Sequence, residues 1–110
     1  MKIVDFHTHI FPPEIREHRE EYLKKDLLFS QLYSNPKARL ATAEELISNM
    51  DEGGIATSAA LNLNWLSHEL CVKTNDYIME AVSRYHHRLV GFGMVAISSG
   101  QAALRELERC

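Results

Sequence analysis

The chain has 110 residues, a formal net charge of -3, 45% hydrophobic residues and 25% charged residues. Such a balance excludes a disordered chain, and the length allows one domain with one core. A mildly acidic chain with no basic run argues against nucleic-acid or anionic-membrane partners, and no apolar run approaches the roughly 20 residues that span a bilayer. Cys71 and Cys110 do not make a disulfide framework, so a reduced compartment is expected. Asp5 interrupts the first apolar stretch before it reaches signal-peptide length, so the expected location is cytoplasmic.

Residues 2–6 are rich in β-branched and aromatic side chains and read as a strand. Pro12 and Pro13 cannot continue it, and Pro13 suits the first turn of a helix. A polar helix is expected over 14–25, then a short helix over 27–33 and a turn at Asn35–Pro36. Thr42 followed three residues later by Glu45 is a capping-box pattern. Ala43, Leu46, Ile47 and Met50 then share one helix face, and Gly53–Gly54 closes the helix. A strand is expected over 55–63. Ser67 caps a helix running to about His86, with Cys71, Thr74, Ile78, Val82 and Tyr85 on its buried stripe. Residues 89–97 form an apolar strand, and Ala102 to Arg109 a last helix. Strands apolar on both faces and separated by helices define an α/β chain with a parallel sheet covered by helices.

The chemistry concentrates in Asp5-Phe6-His7-Thr8-His9. Side chains at i and i+2 of a strand share a face. His7 and His9 therefore project together, rooted about 7 Å apart, within reach of one metal ion. The same alternation puts Ile3 and Asp5 on their face, and Val4 and Phe6 toward covering helices. Asp5 has two readings: an acceptor that orients an imidazole, or a partner for backbone N–H groups of a neighbouring strand.

The run Val4-Asp5-Phe6-His7-Thr8-His9-Ile10-Phe11-Pro12 resembles the opening of the amidohydrolase superfamily. It is closest to the amidohydrolase-2 branch, which includes aminocarboxymuconate-semialdehyde decarboxylase and hydroxybenzoate decarboxylases. The stretches from Ala43 to Ile55, Arg88 to Phe92 and Ala102 to Leu107 are similar to that branch's first helix, third strand and following helix. The resemblance implies a (β/α)8 TIM-type barrel holding one divalent metal, usually zinc, on His7 and His9. It also implies a further His and an Asp from later strands, beyond residue 110. An eight-stranded barrel needs roughly 200 residues or more. Residues 1–110 therefore read as the N-terminal three βα units of a partial barrel, truncated and inactive alone.

The implied reaction is hydrolysis, with metal-activated water attacking a C=O or C–N centre of a small-molecule substrate. One alternative is decarboxylation of a small unsaturated or aromatic carboxylic acid. A second alternative is a non-catalytic partial-barrel module that self-associates as a homo-oligomer through its open strand edges.

Four further residues are candidate substrate contacts. Phe11 opens the long 10–41 connection, which is expected to lie over the site as a lid. Strand two has a small-residue set (Ala56, Ser58, Ala60, Asn62, Asn64) expected to line the interior. Asn62 and Asn64 then reach the histidine rim, where their amides either bind substrate or fix the adjoining loop. Trp65 is either a substrate wall or a packed loop residue. His18, His68, His86 and His87 read as non-ligands.

Overall fold

The computed structural model describes residues 2–110. Strand β1 (Val4–His9) is followed by helices α1 (Pro13–Glu17), α2 (Arg19–Lys25), α3 (Leu27–Tyr33) and α4 (Ala43–Gly53). Strand β2 (Thr57–Leu61), helix α5 (His68–Arg84), strand β3 (Leu89–Gly91), a 3-10 turn (Ile97–Ser99) and helix α6 (Gln101–Arg109) complete it. The strands form one parallel sheet in the order β1-β2-β3. The strand–helix alternation expected from the sequence is therefore present.

Local chemistry sets the helix ends. The Thr42 hydroxyl accepts from the Glu45 N–H and donates to its carboxylate, starting α4. Gly54, at φ 71°, ends α4 in the left-handed conformation that glycine adopts without steric cost. Ser67 Oγ accepts from the Leu70 N–H at the start of α5. The expected stripe of α5 is the packed one: Cys71, Thr74 and Ile78 are buried, and Val82 and Tyr85 pack against the core.

Several boundaries differ from expectation. The 14–25 helix breaks at His18, whose φ of -113° and ψ of 34° lie outside the helical region. No Gly or Pro lies in that stretch, so the sequence carries no signal for the break. β3 is three residues long rather than nine. Phe92 N–H still reaches the Ala60 carbonyl, but β2 ends at Leu61 and offers no further ladder. The Asn75 side chain takes over, accepting from Met94 N–H and donating to Met94 C=O.

Two apolar clusters organise the interior. Ile10, Ala43, Met50, Ala60, Ile78 and Leu89 pack between the sheet and helices α4 and α5. Phe11, Ile15, Tyr22, Phe29 and Trp65 form an aromatic-rich cluster between α1–α3 and the β2–α5 loop. The 10–41 connection is thus a packed layer with its own core.

Helix α5 approaches β3 closely because Gly91 has no side chain. A Cβ there would sit 2.9 Å from the Cγ2 atoms of Ile78 and Val82. Gly91→Ala is expected to cost about 1–3 kcal/mol by overpacking, read as a lower denaturation midpoint in urea.

The last helix is anchored by Glu106, only 4% exposed. Its carboxylate accepts from Arg109 Nε at 2.8 Å, Arg109 Nη2 at 2.6 Å and Asn75 Nδ2 at 3.0 Å. The Arg109 hydrogen bonds, helped by Asn75 and Cys110, hold this carboxyl down to about 2 from an ordinary 4.5, against the opposing effect of burial. A depressed folded value means that the stabilisation is complete above 4.5 and is lost as pH falls toward 2. Wild type is therefore expected to lose stability across that window, with a smaller loss in Glu106→Gln, followed by urea midpoints at several pH values.

Candidate metal centre

The register of β1 against β2 positions the histidines. Val4 and Asp5 pair with Thr57 and Ser58, whereas Thr8 and His9 pair with Ala60 and Leu61. Between these pairs β1 carries one extra residue, a bulge at Phe6–His7 opposite Ala59. Register partners in a parallel sheet share a face, so Asp5 and Thr8 lie on one side with Ser58 and Ala60. His9 lies on the other side with Leu61. The expectation that Asp5 shares the His9 face is corrected by this bulge.

The bulge is pinned locally. Asp5 Oδ1 accepts from the His7 backbone N–H at 3.1 Å, and Thr8 Oγ1 donates to the Ala59 carbonyl at 2.7 Å. The contact present is to backbone, but within the strand of Asp5 itself rather than to a neighbouring strand as expected. Phe6 is 82% exposed rather than packed under helices, because the bulge turns it outward on a strand paired on one side only.

His7 and His9 converge. Their Nε2 atoms are 2.9 Å apart, with ring centroids at 4.8 Å and planes 66° apart. The separation is hydrogen-bond distance, with one ring nitrogen donating to the other. Two imidazoles on one ion, each with its nitrogen about 2.0–2.1 Å away, would bring those nitrogens to about 2.9 Å at a right angle and about 3.3 Å at the tetrahedral angle. The observed separation fits that bite. Burial lowers the His9 pKa, and the neighbouring His7 lowers it further, while the Asn62 backbone opposes both. A neutral ring keeps the lone pair that a cation needs. His9 Nδ1 is buried without a hydrogen-bond partner.

The two rings fit part of a ligand set. Among the described residues, no group of three or more His, Cys, Asp or Glu side chains is arranged to hold a metal. His18 pairs loosely with Glu21, and His86 and His87 pack on each other beyond the end of α5, all three exposed.

Of the four candidate substrate contacts, Phe11, Asn62 and Trp65 are buried and Asn64 is exposed. Phe11 is 1% exposed and packs edge-on against Tyr33 at 5.3 Å. Trp65 is 0% exposed and stacks on Phe29 at 5.0 Å. The burial of these rings gives both packing roles: for Trp65 this is the packed-loop alternative, and Phe11 packs inside the connecting layer in place of the lid role expected of it. Asn62 is fully buried; Nδ2 donates to the Ile10 carbonyl, and Oδ1 accepts from Leu63 N–H at 2.8 Å and Trp65 Nε1–H at 2.7 Å. Its amide fixes the loop. Asn64 is exposed. The small-residue set of β2 faces the helices, since Ala60 packs with Ala43, Met50 and Ile78. Small side chains there let two helices approach the sheet.

Two residues escaped the sequence reading. Thr8, between the histidines, gave no signal beyond its β-branched character. Asp26 did give one, as an acid directly before the apolar run Leu27-Leu28-Phe29. It is buried, caps α3 by accepting from Phe29 N–H, and also accepts from Leu66 N–H at 2.8 Å. It ties the connection to the β2–α5 loop. A cavity of about 350 Å³ lies between α5 and β3 and touches no predicted site residue.

No family model matches the chain. Solved structures do. A candidate amidohydrolase from Staphylococcus aureus is 25% identical with a TM-score of 0.66, the match covering 100% of this chain and 33% of that one. 5-Carboxyvanillate decarboxylase from Sphingomonas paucimobilis is 18% identical with a TM-score of 0.77, covering 98% and 38%. Dihydroxybenzoic acid decarboxylase from Polaromonas sp. JS666, solved with manganese and the inhibitor 2-nitroresorcinol, is 25% identical with a TM-score of 0.63, covering 100% and 35%. The chain therefore spans little more than a third of the length of these proteins. Its fold is that of three βα units of a TIM-type barrel, shared with hydrolases and decarboxylases of the amidohydrolase fold.

Proposed function

We propose that the protein is the N-terminal part of a metal-dependent enzyme of the amidohydrolase-2 branch, with His7 and His9 supplying two ligands to one divalent ion. The observation that carries this reading is the 2.9 Å approach of the two Nε2 atoms from one strand end. The proposed ion is zinc, and the remaining ligands and the general base come from outside residues 2–110. When bound, the ion supplies Lewis-acid activation of a water or a carbonyl oxygen. The chain's own contribution is orientation: the bulge directs both rings to one point, and burial keeps His9 neutral. Hydrolysis of a small C=O or C–N substrate is the proposed reaction, with the protein in the cytoplasm and no nucleic-acid or membrane partner. Among the described residues no helix is long and apolar enough to cross a membrane.

A second reading is decarboxylation of an aromatic carboxylic acid. It is supported by the names of two structural neighbours. Carbon dioxide release by the complete enzyme separates the two reactions. The site itself is tested by titrating zinc into the protein while following the His7 and His9 ring signals by NMR. One equivalent is expected to shift both rings, and shifts confined to other histidines would refute the assignment.

A further inference from the structure

We propose that Asn62 is a positioning residue for the His7–His9 pair, setting the direction of the His9 ring through the backbone of β1. The inference rests on the metal-centre reading for its functional meaning, but its geometry stands apart from it. The Asn62 amide is fully buried and its hydrogen bonds are spent within the fold. One end donates to the carbonyl of Ile10, the residue after His9. The other end accepts from the Leu63 N–H and the Trp65 indole N–H. Trp65 is itself clamped in the aromatic cluster by stacking on Phe29. The chain leaving His9 is therefore fastened through one amide to the buried aromatic cluster. On the other side of His9, Thr8 is fastened to the Ala59 carbonyl. His9 sits between two fixed points, and its Nε2 meets that of His7 only while both hold.

The test uses the whole 110-residue chain. In metal-free protein, NMR contacts between the His7 and His9 ring protons report convergence directly. Asn62→Ala is expected to lose them. Asn62→Asp, which keeps the acceptor for Leu63 and Trp65 but turns an oxygen toward the Ile10 carbonyl, is expected to weaken them while remaining folded. Ile78→Val, a one-methyl change in the core cluster that also holds Ile10 but one that removes no hydrogen bond to β1, is expected to leave them intact. Zinc affinity should fall at least about tenfold in either Asn62 variant and stay unchanged in Ile78→Val. Folded Asn62 variants with undiminished ring contacts would overturn the positioning role, whatever the zinc result. Ring contacts that depend on Asn62 in a chain that binds no zinc would uphold the positioning role and refute the metal reading.

Discussion

Replacing His7 or His9 by Ala abolishes stoichiometric zinc binding, and replacing both leaves no residual specific site. This is the expected result, and the fall in affinity should be on the order of a hundredfold or more for each single change, since on the proposed reading each removes a direct ligand. The fold should survive. His7 is exposed and His9 only partly buried, so neither anchors a core. A surface change of this type costs within about 0.5 kcal/mol. Removing His7 also lifts the electrostatic pressure that helps lower the His9 pKa. The remaining ring then titrates closer to its ordinary range, measurable by NMR. Isothermal titration with zinc, paired with circular dichroism to verify folding, gives the decision. A folded double variant that still takes up one equivalent of zinc would end the case for this pair.

Trp65→Ala has the largest expected effect on stability. The ring is fully buried, stacks on Phe29 at 5.0 Å and meets Phe11 edge-on at 6.5 Å. Truncating a buried aromatic to Ala costs about 3–5 kcal/mol. A domain of this size is stable by only about 5–15 kcal/mol, so a melting-temperature drop of roughly 15–30 °C follows. The indole N–H also goes, and Asn62 Oδ1 loses one of its two donors. Trp65→Phe separates the contributions. It keeps a buried aromatic ring, removes the N–H together with part of the indole volume, and should cost less than the Ala variant, about 1–3 kcal/mol. Equal melting temperatures for the Ala variant and wild type would mean that Trp65 is not part of the core.

Much of this architecture was legible in the sequence because it is local. Thr42, Glu45 and Gly54 mark the ends of α4 by their own hydrogen-bonding and backbone chemistry. The i, i+3, i+4 spacing of α5 named its buried face. The alternation rule brought His7 and His9 together, and it held because both lie beyond or at the bulge. It failed for Asp5, on the other side of it. A bulge is set by how β1 pairs with a strand some fifty residues away, and no Gly or Pro advertises it. The same limit hid the fates of Phe11 and Trp65. Each is a large aromatic beside the strand ends, and sequence alone does not say whether such a ring faces a ligand or other rings. Asn62 carries both possibilities in its chemistry, and only the position of the Ile10 carbonyl decides between them.

The one-sided pairing of β1 has a further consequence. Among the described residues this strand pairs with β2 only, through contacts such as Thr8 to the Ala59 carbonyl, 51 positions apart. Contacts of such long range close late in folding and open early in fluctuation. Both imidazoles ride on that strand, so they arrive and depart as a unit. A cation held by both rings only in the folded chain would add about 2.7 kcal/mol of mass-action stabilisation at a hundredfold excess over its dissociation constant.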